Sequence, residues 1–162
     1  MQISINRIAG QTVAIALRAL IAGLWFGAVS AIAGGLLGVF ANGAGVPLTY
    51  LHDTPFASYL IPGLLLGVLI GGTQLTAAIL LHRRHPYGLT AAAIAGFGMI
   101  VWIFVELAVI SEYSPLQAIY LGVGVGQLVL VLFALGLLTP LLRPLPNPTP
   151  ERSIRPWVPE EL

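Results

Sequence analysis

The stretch PYGLTAAAIAGFGMIVWIFVELAVIS, residues 86–111, carries a single formal charge, at Glu106. An α-helix rises 1.5 Å per residue, so about 20 apolar residues cross the ~30 Å hydrocarbon core of a bilayer. The stretch is long enough to cross the bilayer once and too short to cross it twice. It therefore predicts one membrane-spanning helix.

Three other stretches of comparable length carry no formal charge, namely residues 19–51, 54–81 and 113–142. The break Asn42-Gly43-Ala44-Gly45 closes the apolar part of the first one near Phe40. We predict membrane spans at residues 19–40, 56–81, 89–110 and 116–138. With short connections, residues 19–142 then form an all-α membrane domain, an antiparallel four-transmembrane-helix bundle.

The composition agrees with a membrane protein. Hydrophobic residues make up 57% of the 162 residues and charged residues only 8%, whereas a soluble domain carries about 25% charged residues. The chain is too apolar for a disordered protein. Its seven basic residues are all arginines and form no basic tract, so the expected partner is the lipid bilayer and not a nucleic acid.

The arginines predict the orientation in the membrane. Arg7 and Arg18 precede the first predicted span, Arg83 and Arg84 lie between the second and third, and Arg143, Arg152 and Arg155 follow the fourth. With four spans, these three segments share one side of the membrane. The positive-inside rule then places both termini in the cytoplasm.

Both ends of the chain carry segments outside the predicted bundle. Residues 1–18 are moderately apolar and are predicted as a cytoplasmic or interfacial segment. Ala31-Ile32-Ala33 resembles a signal-peptide cleavage site, but the apolar run continues past it to Phe40, which favours a retained helix. The proline-rich residues 143–162 are predicted as a cytoplasmic tail with Trp157 as an interfacial anchor.

Glu106 is the most informative single residue, because an ionisable group inside a span must face protein or water. We place it about six residues, or ~9 Å, from the outer end of its helix. Gln117 and Tyr120 enter the membrane from the same side at comparable depth, and Tyr59 begins the second span on that side. These four residues are predicted to form a polar cluster in the outer half of the membrane.

Two interpretations of this cluster stay open. It is a ligand or proton site, or it is an interhelical hydrogen bond that holds the helices in register. The second is favoured because no other ionisable residue lies within a span. Gln74 and Gln127 are further candidates for hydrogen bonds between helices.

Small residues recur at four-residue spacing, which predicts helix faces that allow close backbone approach. The predicted packing glycines are Gly23, Gly27, Gly63, Gly67, Gly71, Gly122 and Gly126. The spacing does not distinguish packing inside one chain from packing between chains.

Catalytic and metal-binding patterns are missing from the sequence. It contains no cysteine, no Gly-x-Ser-x-Gly elbow and no His-Glu-x-x-His pattern. His82 and His85 flank two arginines, a setting that disfavours a bound cation and favours contact with lipid headgroups. We predict no catalytic residue, no metal and no cofactor.

Residues 56–127 carry motifs that resemble small four-span bacterial membrane proteins of the kind seen in actinobacteria. The motifs are Phe56-Ala-Ser-Tyr-Leu-Ile-Pro-Gly63, Gly71-Gly72, Trp102-Ile-Phe-Val-Glu106, and Leu116-Gln-Ala-Ile-Tyr120 with Gly122. The resemblance implies a multi-pass protein of the bacterial cytoplasmic (inner) membrane and implies no activity.

The predicted function is therefore a non-enzymatic one. The favoured hypothesis is an accessory or structural subunit that packs against another membrane protein or against itself as a homo-oligomer. The first alternative is a small transporter or channel subunit that uses Glu106 as a proton or cation site. The second is a membrane enzyme that acts on lipid, with Glu106 as its acid–base group.

Overall fold

The structure, a computed structural model, describes residues 2–52, 54–110 and 113–137. Within these ranges the chain is helical with no strand, and it has four helices long and apolar enough to span a membrane. They are α1 (Gln2–Ala41), α2 (Leu60–His82), α3 (Gly88–Val109) and α4 (Pro115–Ala134). This confirms an all-helical chain with four candidate membrane spans. The predicted tail and Trp157 lie outside the described residues.

Helix α1 continues without a break from the predicted interfacial segment into the predicted first span. No proline occurs before Pro47, so nothing in the sequence interrupts its backbone hydrogen bonds. The part long and apolar enough to span a membrane is Gly10–Ala41, which starts nine residues earlier than predicted. Ala16, Leu20, Leu24, Ala28 and Ala31 form its buried stripe at near-helical spacing.

Helix α2 begins four residues later than predicted and contains an irregularity that the sequence does not reveal. Pro62 lies in the first turn, where its missing N–H is one that an α-helix leaves unpaired anyway. Residues Leu65–Gly71 adopt π-helical hydrogen bonding, and an α-helix resumes at Gly72–His82. Such π-segments inside α-helices are often found at functional sites.

Helices α2 and α4 end in Schellman motifs, each with one residue in the left-handed conformation. After α4, Gly136 has φ +73°, and the Leu137 N–H donates to the Leu132 carbonyl at 3.1 Å. After α2, Arg84 has φ +54°, and the His85 N–H donates to the Leu80 carbonyl at 2.8 Å. The first of these motifs ends α4 before the predicted residue 138.

Helix α1 packs against α2 and α4, and α3 packs against the same two helices, while α1 and α3 scarcely touch. Residues late in α1 meet residues early in α2, because Gly38 lies beside Gly63 and Gly27 beside Gln74. In the same way, Ile100 lies beside Gly124 and Gly96 beside Leu128. The fully buried alanines Ala77, Ala78, Ala92 and Ala95 join α2 to α3.

The predicted glycines of α2 lie where its backbone approaches that of α1, whereas a Cβ on the predicted Gly23 of α1 would lie 4.0 Å from Gln127 Cγ of α4. A Cβ on Gly63 would lie 2.9 Å from the Gly35 carbonyl oxygen, and one on Gly71 would lie 2.6 Å from Ile32 Cγ1. A Cβ on Gly67 would be 3.4 Å from Gly35 Cα. At Gly63 and Gly71 only a residue without a side chain fits unaltered, whereas the distance at Gly67 is an ordinary van der Waals contact.

The predicted glycines of α4 lie elsewhere. A Cβ on Gly122 or Gly126 would meet no described atom within 4 Å, so neither glycine packs within the described part of the chain. Gly124 is the packing glycine of this helix, since its Cβ would lie 3.0 Å from the Gly96 carbonyl oxygen. The helix turns 100° per residue, which sends residues two positions apart to different faces.

Candidate functional site

A cavity of about 400 Å³ opens at the end of the helices where the 42–59 and 110–114 connections lie. All four residues of the predicted polar cluster line it, namely Glu106, Gln117, Tyr120 and Tyr59. The remaining lining is mainly apolar and includes Leu66, Met99 and Ile103. The structure thus brings the four polar residues to one cavity, although they arise from three segments of the chain.

Glu106 is half-buried and lies in the last turn of α3. The helix ends at Val109, and Ile110 is already extended with φ −104° and ψ 104°. Glu106 is therefore three residues from the helix end, about 4.5 Å along the axis, and not six as predicted. The carboxyl group is closer to the membrane edge than the sequence alone indicates.

Gln117 links Glu106 to the start of α4. Its Oε1 atom accepts a hydrogen bond from the Ser114 N–H at 2.9 Å, which completes a capping box around Pro115. Its Nε2 atom donates to Glu106 Oε1 at 3.3 Å. The side chain is 4% exposed. Because the cap fixes its rotamer, Gln117 presents a positioned donor to the carboxylate.

Tyr59 precedes α2 and closes the cavity from the 42–59 connection. Its hydroxyl donates to the Pro47 carbonyl at 2.9 Å, and its N–H donates to Asn42 Oδ1 at 3.0 Å. Burial raises the pKa of the Tyr59 phenol, and the nearby Tyr50 adds a smaller increase. The phenol therefore keeps its proton as a donor. It lines the same cavity as Glu106, but its hydroxyl bonds to the connection.

Tyr120 lies one turn beyond Gln117 on α4 and is half-buried. Its ring stacks on Phe26 of α1, with centroids 6.2 Å apart and an interplanar angle of 17°. Trp102 lies one turn before Glu106 on α3 and lines the cavity as well. Aromatic side chains from α3 and α4 thus line the same cavity as the carboxyl group.

Within the described ranges, Glu106 is the only acidic side chain, and its one hydrogen bond there comes from the neutral Gln117 amide. The arginines whose side chains the structure describes are Arg18, Arg83 and Arg84, and none of them pairs with Glu106. A buried or half-buried carboxylate is normally paired with a cation. The cavity therefore carries a carboxyl group without a positive protein partner among the described side chains.

A second polar cluster joins all four helices, and sequence reasoning did not recognise it as a pair. Gln74 Nε2 donates to Gln127 Oε1 at 3.0 Å, and Gln127 Nε2 donates to Gln74 Oε1 at 2.8 Å. The remaining N–H groups donate to the Ala95 and Gly23 carbonyls, each at 3.2 Å. Both glutamines are buried, with exposures of 0% and 2%.

Glycines make room for this glutamine pair. A Cβ on Gly27 would lie 2.7 Å from Gln74 Oε1, and one on Gly96 would lie 3.2 Å from Gln127 Cβ. The predicted packing glycine Gly27 thus provides space for the Gln74 side chain of α2. Two glutamines at mid-helix opposite glycine-containing segments are the sequence signal that indicates such a pair.

No group of three or more metal-binding side chains occurs in the described ranges. Comparison with protein-family models, with curated proteins and with solved structures finds no match to this chain. The resemblance to small four-span bacterial membrane proteins therefore stays a prediction.

Proposed function

We propose that the protein is a small membrane transport or channel subunit that takes up a cation or a proton at Glu106. The observation that carries this proposal is the position of Glu106 on a cavity of about 400 Å³ without a cationic partner in the described chain. A carboxyl group that served only helix packing would be enclosed by its hydrogen-bond partners. Here the carboxyl group faces an open space of ligand size.

The proposed architecture is an antiparallel four-helix bundle of a bacterial inner membrane with both termini in the cytoplasm. Residues late in α1 contact residues early in α2, and residues late in α3 contact residues early in α4, which supports the antiparallel arrangement. The distribution of the seven arginines supports the orientation. In this orientation the cavity lies in the outer half of the membrane.

The proposal is non-enzymatic. Acid–base chemistry on a lipid needs a second titratable group poised near the carboxyl group. Besides Glu106, the titratable lining residues are Tyr59 and Tyr120. The Tyr59 hydroxyl donates to Pro47, and burial keeps its proton in place. The cavity is thus better suited to binding than to proton transfer on a lipid.

A flux assay tests the proposal. The full chain is reconstituted in liposomes that contain a pH-sensitive dye, and a proton gradient is imposed. We expect faster dissipation with the wild type than with Glu106→Gln, because the amide cannot ionise. Phe104→Leu, on the exposed side of α3, is the matched control and retains wild-type flux. Equal flux through the wild type and Glu106→Gln overturns the proposal.

A second candidate function is the accessory subunit that packs against a membrane partner or a second copy. Its support is the open face at Gly122 and Gly126, which no described atom approaches. Gly122→Ile should then reduce self-association or co-purification in mild detergent. Gly98→Ile, at an equally open glycine of α3, is the control. Unchanged assembly in Gly122→Ile removes this candidate.

A further inference from the structure

We infer that the ligand of the Glu106 cavity is an organic cation, an alkylated ammonium with an aromatic or branched apolar body. The inference rests on the proposed function and names the class of cation that the site takes. Charge, aromatic lining, the scarcity of oxygen ligands and cavity size each support it.

The charge of the site selects a cation. Glu106 is the only acidic residue of the described chain, and no described basic side chain neutralises it. At low dielectric an uncompensated carboxylate strongly attracts a positive ligand and repels a negative one. Gln117 Nε2 holds one carboxylate oxygen. The other oxygen makes no hydrogen bond within the described chain and is available to a ligand.

The aromatic residues of the lining select an ammonium group. Trp102 and Glu106 are four residues apart on α3, a spacing that puts them on one helix face. Tyr59 and Tyr120 line the same cavity. The faces of aromatic rings attract cations, and an alkylated ammonium is the cation that such rings bind in protein sites.

The scarcity of oxygen ligands disfavours a bare metal ion. Hard cations require several oxygen ligands to replace their water, and no group of three metal-binding side chains occurs in the described ranges. Most of the lining is apolar, with Leu66, Met99 and Ile103 among it. An alkylated ammonium covers its charge with methyl groups and tolerates such walls.

The size of the cavity admits a body larger than the ammonium head. Cavities of about 300–1,000 Å³ hold small organic molecules, and this one measures about 400 Å³. Its rim includes the exposed side chains of Leu37, Val46 and Leu116, so the cavity opens to the protein surface. Benzyltrimethylammonium is a suitable probe of this size and charge.

The test uses three probes of one shape and different charge. They are benzyltrimethylammonium, its uncharged carbon analogue neopentylbenzene, and the anion phenylmethanesulfonate. Binding to the full chain in an uncharged maltoside detergent is measured by equilibrium dialysis against protein-free micelles. We expect saturable binding of the cation alone, and a loss of affinity of about tenfold or more in Glu106→Gln.

Two further variants keep the result interpretable. Glu106→Asp retains the charge and should keep part of the affinity, while Phe104→Leu, outside the cavity, should bind like the wild type. Each variant is compared only where gel filtration and circular dichroism match the wild type. Stronger binding of the neutral or anionic probe, or cation binding that Glu106→Gln leaves intact, overturns the inference. The flux assay needs no organic ligand, so it judges the proposed function separately.

An ammonium group reaches such a cavity either from a lipid headgroup or from a soluble molecule. Adding dihexanoyl phosphatidylethanolamine to the dialysis separates these sources. Displacement of benzyltrimethylammonium supports the inference and identifies a lipid headgroup as the natural ligand. Undiminished binding also supports it and identifies a soluble cation.

Discussion

Gln74 and Gln127 use all four of their amide N–H groups in hydrogen bonds that reach every helix. Such a network is worth more as a unit than as a sum of separate bonds. It also fixes the relative position of α2 and α4, which lie diagonally opposite each other and share few other contacts. The pair therefore controls the register of the whole helix packing.

A double-mutant cycle at this pair should reveal the coupling. Gln74→Met and Gln127→Met keep the length of the side chain and remove the amide. We expect each to lower the free energy of unfolding by about 1–2 kcal/mol, and the double variant to lose less than the sum by about 0.6–2 kcal/mol. Unfolding in mixed dodecyl sulfate and maltoside micelles measures this.

Thr76→Val is the control for this cycle, because the Thr76 hydroxyl bonds only to the Gly72 carbonyl of its own helix. It should change stability by less than about 0.5 kcal/mol. Strict additivity of the two glutamine variants would contradict a coupled pair.

Glu106 should tolerate glutamine without loss of folding. A glutamine at this position keeps an oxygen acceptor for Gln117 Nε2, so stability should change by less than about 1 kcal/mol. Glu106→Leu removes the acceptor and should cost about 0.6–2 kcal/mol. Unfolding in mixed dodecyl sulfate and maltoside micelles measures the stability of both variants. A glutamine variant as unstable as the leucine variant would mean that the ionised carboxyl group itself stabilises the fold.

At the scale of elements, the contact of α1 with α2 depends on glycine in both helices. A Cβ on Gly35 would lie 2.6 Å from Gly67 Cα and 2.7 Å from the Gly63 carbonyl oxygen, and these are backbone atoms that cannot rotate away. Gly35→Ala should therefore separate the two helices and lower the free energy of unfolding by about 1–3 kcal/mol.

Gly72→Ala is the matched control on α2, since a Cβ there would meet no described atom within 4 Å. Alanine has a higher helix propensity than glycine by up to about 1 kcal/mol, so this variant should be neutral or more stable. If both alanine variants are equally stable, the two backbones are not in contact in the membrane.

The sequence predicts helices better than it predicts which residues meet. Long uncharged runs indicate each span because the bilayer sets their length. The observed ends differ most at the start of α1, nine residues before the predicted one, and α4 ends four residues early at the cap that Gly136 forms. The π-segment Leu65–Gly71 leaves no compositional sign. Gly122 and Gly124 illustrate the remaining difficulty. Four-residue spacing marks a face, but only the packing decides which face contacts a neighbour.

For the candidate site too, the sequence predicts which residues take part but not which atoms they contact. The cost of a carboxyl group in a span draws attention to Glu106, and the shared depth of Gln117, Tyr120 and Tyr59 places them near it. The partners of their polar groups depend on details such as the capping box at Ser114 and the carbonyl of Pro47. A cavity arises from how helices splay, which no local pattern specifies.

At the scale of the whole molecule, orientation decides which solution the Glu106 cavity faces. The chain contains no cysteine, so single cysteines can be introduced and labelled without background. Thr49 lies in the connection after α1, and His85 lies in the turn after α2, and both are exposed. The positive-inside rule predicts that the turn with Arg83 and Arg84 lies in the cytoplasm.

We therefore expect Thr49→Cys to react with a membrane-impermeant maleimide on intact bacterial cells, and His85→Cys to react only after the cells are permeabilised. The expectation follows from charge, because seven arginines and no lysine supply the whole basic content of the chain. Labelling of His85→Cys in intact cells would show that the protein has the opposite orientation in the membrane. The cavity would then open toward the cytoplasm, and an organic cation would have to reach Glu106 from within the cell.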